Sequence, residues 1–84
     1  MRMKQDQTML FHLETNQDKE VHRVLKEVYA SLKERGYNPV NQIVGYLISG
    51  DLGYISSYQD ARRKMQALDR SKIIEVLLTD VIER

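Results

Sequence analysis

A stretch without charge in the middle of the chain most constrains the fold. Residues 38–50, NPVNQIVGYLISG, contain no Asp, Glu, Lys or Arg, although 30% of the chain is charged. Asn38 followed by Pro39 is the capping side chain and first-turn proline of a helix, and Ser49-Gly50 is a helix end. Between them, apolar residues recur at helical steps: Val40, Ile43, Val44, Leu47 and Ile48. A helix this free of charge is typically enclosed on several sides, so we expect other parts of the molecule to cover it.

The length of the chain indicates that a second copy of the chain covers this helix. A chain of 84 residues buries only about 64% of the surface of its unfolded form, which supports one small core and excludes a second domain. The sequence contains no Cys, so no disulfide compensates for the small core. We therefore expect a two-fold homodimer that buries more apolar surface.

The expected dimer interface lies on the charge-free helix, together with part of the apolar stripe of the last helix. Asn41, Gly45 and Ser49 recur every four residues and form a smooth face that lets another helix backbone approach closely. The predicted interface residues are Val40, Asn41, Val44, Gly45, Leu47 and Ile48.

Three further helices follow from the apolar spacing and the capping residues. The first is predicted from about 17 to about 35, before Gly36, and the third from a cap at Ser56 or Ser57 to about Leu68. The last begins at Asp69 or Ser71 and carries a wide apolar stripe to the chain end: Ile73, Ile74, Leu77, Leu78, Val81 and Ile82. We predict an all-α fold, in which residues 14–84 form a compact four-helix dimerisation domain behind a short extended N-terminal arm, residues 1–13.

The arm is expected to be mobile, because residues 1–7 are polar. They show no apolar core of a signal peptide, and no uncharged run is long enough to span a bilayer, so we expect a cytoplasmic protein without membrane insertion. Met9, Phe11 and Leu13 alternate, which favours a short extended segment. That segment either pairs with its copy in a dimer or packs its apolar side against the helices.

No residue pattern indicates an enzyme, a metal site or a cofactor. His12 and His22 are separated by ten positions and lack metal-ligand spacing. Asp51 and Asp60 are interpreted as turn carboxylates that accept backbone N–H groups, not as an acid–base pair. Gly50 and Gly53 lack the lysine and hydroxyl of a phosphate-binding loop.

A basic cluster keeps a second class of function open. Arg62, Arg63 and Lys64 are followed closely by Arg70 and Lys72. With the spacing of the second and third helices, they are compatible with a small helix-turn-helix nucleic-acid-binding protein. A net charge of +1 favours instead a solvated face or a partner-binding patch at Arg62, Arg63 and Lys64.

Thr8 is a candidate modification site, because it lies where the polar arm meets the first apolar residues. A phosphate there adds about −1.5 to −2 charges. It would draw the arm onto the Arg62, Arg63 and Lys64 patch or expel it from an apolar groove.

Residues 34–51, ERGYNPVNQIVGYLISGD, closely resemble the signature of the IreB family, small cytoplasmic proteins of Gram-positive bacteria. Asp60-Ala61-Arg62 and the closing helix, 70–83, also match, and the resemblance extends from Thr8 onward. The connector between the second and third helices, residues 51–57, departs from the usual family pattern. Leu52-Gly53 replaces a common Pro-Ala, and Ser56 replaces a common Pro.

The resemblance implies a non-enzymatic regulatory phosphoprotein that forms an all-helical homodimer. It implies, as partner, a transmembrane Ser/Thr kinase that monitors the cell envelope, in a pathway that restrains cephalosporin resistance. Family phosphorylation falls on N-terminal threonines. Thr8 matches one of them, and the other falls near Gln5, which has no hydroxyl. The downstream protein partner is not implied by the sequence.

Overall fold

The computed structural model describes residues 15–83, and these residues are helical throughout apart from their connections. The four α-helices are α1 (Asn16–Glu34), α2 (Pro39–Ser49), α3 (Ala61–Gln66) and α4 (Arg70–Ile82). Two single-turn 3₁₀ helices, Leu52–Tyr54 and Tyr58–Asp60, lie between α2 and α3. No strand occurs within 15–83, which confirms the all-α prediction for that part of the chain. The predicted arm, residues 1–13, lies outside the described residues.

Helix α1 begins at a reciprocal cap. The Thr15 hydroxyl accepts the Asp18 backbone N–H at 3.1 Å, and Asp18 Oδ2 accepts the Thr15 backbone N–H at 3.1 Å. Each side chain satisfies a backbone donor that the first helical turn leaves unpaired. Gly36 follows the helix with φ +89°, which glycine adopts without steric cost. The bounds of α1 confirm the predicted helix to within one residue.

Helix α2 is confirmed from cap to cap. Asn38 Oδ1 accepts the Asn41 backbone N–H at 3.1 Å, Pro39 occupies the first turn, and Gly50 ends the helix at φ +77°. Only Pro39 and Tyr46 are buried in this helix. The described part of one chain therefore does not enclose the charge-free segment.

The core is organised around α1, which packs against α2, α3 and α4. One side of α1 supplies four of the buried apolar side chains, and the other elements supply the rest. They are Val21, Val24, Val28, Leu32, Tyr46, Ile55, Ala61, Met65, Ile73 and Val76. This arrangement leaves α2 and α4 on the outside of the core, each with a side that no described residue covers.

The prediction for the third helix was wrong at its N-terminus. Helix α3 begins at Ala61, and Ser57 makes no side-chain cap. The Ser56 hydroxyl accepts the Tyr58 backbone N–H at 3.1 Å, but the turn that starts there is the second 3₁₀ helix. The chain instead passes through two left-handed residues, Gln59 at φ +52° and Asp60 at φ +63°. The Ser31 hydroxyl donates a 2.6 Å hydrogen bond to Gln59 Oε1, which holds this turn against α1. The backbone therefore leaves helical geometry where local capping signals favoured a helix, and a tertiary contact accompanies the break.

The apolar stripe of α4 is only partly buried. Ile73 and Val76 enter the core, but Ile74, Leu78 and Ile82 remain exposed. Val76 was not among the residues that the spacing selected. The stripe is wider than the surface that α1 offers, so one chain covers only its inner edge.

Candidate interaction surface

The exposed side of α2 is an apolar surface. Val40, Val44 and Ile48, here called the α2 face, are 58%, 44% and 79% exposed. They recur every four residues and therefore lie on one side of the helix. Apolar side chains that form a contiguous exposed patch mark an interaction site more often than isolated ones do.

The α2 face continues into a groove between α1, α2 and α4. The groove has a volume of about 240 Å³, and its lining consists of Leu25, Tyr29, Val40, Ile43, Val44, Leu47 and Leu77. Every lining side chain is apolar except for the Tyr29 hydroxyl. The shape and chemistry suit an apolar partner and offer no charged group for catalysis or phosphate binding.

The predicted interface residues divide into two groups in the structure. Val40, Asn41, Val44 and Ile48 are exposed, and Leu47 is partly buried. Gly45 is different, because a Cβ at this position would lie 2.4 Å from Tyr54 Cδ1. The smooth face of Asn41, Gly45 and Ser49 is thus occupied at its centre by a ring of the same chain. Gly45 leaves room for Tyr54 of the connector to pack against α2. The role of Gly45 at a dimer interface stays a prediction.

Replacing Gly45 with alanine is expected to destabilise the fold by about 1–2 kcal/mol, because the new methyl group forces the Tyr54 ring from its site. Urea denaturation measures the change. The same substitution in a Tyr54→Ala background is expected to cost much less, since the opposing ring is gone. Equal costs in both backgrounds would show that Tyr54 is not the obstacle.

Arg70 joins the start of α4 to the end of α2. Its Nη1 donates a 3.0 Å hydrogen bond to the Leu47 carbonyl, and a Cβ at Gly50 would lie 2.9 Å from the guanidinium carbon. The bond satisfies one of the carbonyls that a helix C-terminus leaves unpaired. Sequence analysis grouped Arg70 with a basic cluster and missed this role. The available signal was the end of α2, where the helix itself has no basic residue to bind its last carbonyls.

A buried carboxylate joins α1 to α4. Asp18 is 1% exposed, and its Oδ1 lies 3.2 Å from Lys72 Nζ. The hydrogen bond to Asp18 raises the pKa of the Lys72 ammonium group above its ordinary value. At the sequence level, Asp18 offers only a favourable charge to a helix N-terminus. Its spacing from Thr15 was the signal for the cap, but nothing in the pattern indicated its burial.

In residues 62–64 of the basic cluster, two side chains make contacts within the chain, while Arg62 and Arg63 stay exposed and Lys64 is partly buried. Arg62 Nε donates to the Ile55 carbonyl at 2.9 Å, and Lys64 Nζ lies 3.3 Å from Glu27 Oε1. Arg23 also binds Glu27, and this hydrogen bond is the main reason that the pKa of the Glu27 carboxyl lies below its ordinary value. Arg63 lines a small polar cleft. Residues 50–60 separate α2 from α3, whereas a helix-turn-helix joins its helices by about three to four residues.

The remaining polar candidates make structural contacts. Asp51 Oδ1 accepts the Gly53 backbone N–H at 2.8 Å, as expected of a turn carboxylate. His22 Nε2 lies 2.7 Å from Asp80 Oδ2, a second link between α1 and α4. Within residues 15–83 no group of three His, Cys, Asp or Glu side chains is arranged to hold a metal ion. His12 and Thr8 lie outside the described residues.

Across the described residues, none of the helices combines the length and the apolar composition needed to cross a membrane.

Comparison with protein families gives one match that covers nearly the whole chain. The model of the family described as IreB regulatory phosphoprotein matches residues 6–83. The matched range includes Thr8, the charge-free helix α2, the connector and α4. The chain therefore belongs to the IreB family of regulatory phosphoproteins.

Proposed function

We propose that this protein is a cytoplasmic regulatory phosphoprotein that works by binding, not by catalysis. In this proposal a transmembrane Ser/Thr protein kinase modifies Thr8, and the protein acts as a homodimer in signalling from the cell envelope, including resistance to antibiotics. The observation that carries the proposal is the family match, because it spans residues 6–83 and thus includes Thr8.

The environment of the threonines supports Thr8 as the control point. The chain has three threonines, Thr8, Thr15 and Thr79. Thr15 is the N-cap of α1 and its hydroxyl already accepts a backbone N–H, while Thr79 is partly buried within α4. A protein kinase needs an extended segment with an accessible hydroxyl, and a helix offers neither. Thr8 alone precedes the helical domain.

The α2 face supports the homodimer. Its three side chains are apolar and exposed, and the neighbouring groove has no charged lining. A two-fold axis beside α2 would bring two copies of this surface together, as self-complementary interfaces require. The predicted seam is Val40, Val44, Leu47 and Ile48, with Asn41 and Gly45 at its side.

The test is phosphorylation of the full-length protein by the cytosolic kinase domain of a membrane Ser/Thr kinase from the same organism. Mass spectrometry locates the phosphate. We expect it on Thr8, and we expect a Thr8→Val variant to lose nearly all incorporation, because valine keeps the shape but has no hydroxyl.

A Thr79→Val variant is the matched control and is expected to be labelled like the unchanged protein. Phosphate found only outside residues 1–15 would contradict Thr8 as the control point. Unchanged labelling of the Thr8→Val variant would contradict it equally.

A further inference from the structure

The outer side of α4 carries a second apolar surface, separate from the α2 face. Ile74, Leu78 and Ile82, here called the α4 stripe, are 40%, 53% and 72% exposed. They recur every four residues along one side of the helix. With four polar neighbours they line a shallow groove of about 370 Å³, and those neighbours are Ser71, Glu75, Thr79 and Glu83.

The chain that precedes α1 starts beside this helix. Asp18, in the first turn of α1, contacts Lys72, in the first turn of α4, and His22 contacts Asp80 one to two turns further along. The N-terminal half of α1 therefore lies along α4. Residues 1–14 are attached to Thr15 at this end of the molecule.

We propose that residues 9–13 of the same chain pack along the α4 stripe, and that phosphate on Thr8 releases them. Met9, Phe11 and Leu13 share one side of an extended segment, because side chains alternate along it. The apolar edge formed by Met9, Phe11 and Leu13 matches the apolar side chains of the α4 stripe.

The lengths of the two partners agree. An extended chain advances about 3.3 Å per residue, so residues 8–14 reach about 20 Å. A helix rises about 1.5 Å per residue, so α4 measures about 17 Å from Ser71 to Ile82. A segment that leaves Thr15 near Lys72 and follows α4 therefore brings Thr8 to the C-terminal end of that helix.

The charges at this end explain the release. The last turn of α4 contains no basic residue and one acidic residue, Asp80, which contacts His22. Glu83 at the C-cap is followed by Arg84, and a helix C-terminus itself carries partial negative charge. Arg2, Lys4 and Asp6 give residues 1–7 a net side-chain charge of +1, which complements the partial negative charge of the helix end. A phosphate on Thr8 adds about −1.5 to −2 charges at the same place and is repelled.

A tethered segment is a better occupant of the α4 stripe than a second copy. Attachment to Thr15 gives the arm an effective concentration on the order of millimolar, so a small contact suffices. A stable dimer interface buries about 800 Å² per partner. The groove at the α4 stripe is lined by one helix, whereas the α2 face continues into a groove lined by α1, α2 and α4, so a second copy finds the larger surface there. The release mechanism rests on the proposed function, since it needs Thr8 to be the modified residue, but the packing of residues 9–13 does not.

Disulfide trapping in the full-length protein tests the packing, because the natural sequence has no Cys. A His12→Cys/Thr79→Cys variant places one thiol within the arm, between Phe11 and Leu13, and the other at the edge of the α4 stripe. The matched control is His12→Cys/Arg23→Cys. Arg23 is about 12 Å along α1 from Thr15, on the side where Glu27 contacts Lys64 of α3.

We expect the Thr79 pair to form an intrachain disulfide at least about tenfold faster than the Arg23 pair, measured by mass spectrometry under mild oxidation. Circular dichroism checks that both variants are folded. Equal rates for the two pairs would overturn the packing. Disulfides formed mainly between chains would overturn it too and would show that a second copy occupies the α4 stripe.

A charge at position 8 tests the release. In the His12→Cys/Thr79→Cys background, Thr8→Glu is expected to slow trapping about fivefold relative to Thr8→Gln, which has nearly the same shape without the charge. Equal trapping in the two variants would overturn the release. Absence of phosphate on Thr8 after kinase treatment would contradict the proposed function, while the trapping result would still decide the packing.

Discussion

A Val44→Glu variant is expected to be monomeric at concentrations at which the unchanged protein is a dimer. Val44 is 44% exposed in one chain, so the glutamate reaches water in the monomer and the fold tolerates it. At a two-fold interface each copy would bury an unpaired carboxylate in an apolar seam, and burial of such a charge costs several kcal/mol. We expect the dissociation constant of the dimer to rise at least about a hundredfold.

Sedimentation equilibrium over a range of concentrations measures this change. Gln66→Glu is the matched control, because it introduces the same side chain at an exposed position of α3, and its mass is expected to equal that of the unchanged protein. A Val44→Glu variant that keeps the dimer mass would contradict the α2 face as the seam. An unchanged protein that is monomeric throughout would contradict the homodimer itself.

Replacing Ile55 with alanine is expected to lower the free energy of unfolding by about 3 kcal/mol. Ile55 is fully buried although it lies in the connector between the two 3₁₀ turns, and its side chain joins the core around α1. Removal of buried carbon atoms loses their transfer free energy and leaves a cavity. In a chain this small, such a loss is a large share of the total stability.

The shift of the urea midpoint at constant slope measures the loss. Val81→Ala removes carbon atoms from a side chain that is 73% exposed and lies outside the α4 stripe, so we expect a change below about 1 kcal/mol. Similar shifts for the two variants would show that Ile55 does not anchor the connector.

Helices with clear caps and regular apolar spacing were predictable from the sequence. Thr15, Asn38 and Gly50 mark the ends of α1 and α2 because local hydrogen bonds and backbone freedom decide those positions. Such signals act over a few residues and need no knowledge of the tertiary fold.

The parts that escaped prediction depend on contacts between distant segments. The turn at Gln59 is held by Ser31, and Ile55 is buried without any periodic pattern around it. The Tyr54 ring over Gly45 likewise joins two elements whose approach no local spacing reveals. For α2, sequence analysis selected Val40, Val44 and Ile48, which the structure leaves exposed, and their place at an interface stays a prediction. Sequence analysis could not tell that Gly45 was already covered within the chain.

The attachment of α4 has a consequence for the motions of the protein. Helix α4 packs mainly on α1, and much of its apolar side remains outside the core. Detachment of α4 would expose less buried surface than global unfolding, so its amide hydrogens are expected to exchange with solvent through a partial opening of lower free energy. A ligand that holds α4 in place would slow that exchange and stiffen the whole domain. A ligand that displaces the segment packed on the outer side of α4 would leave the C-terminal helix as the first foldon to open.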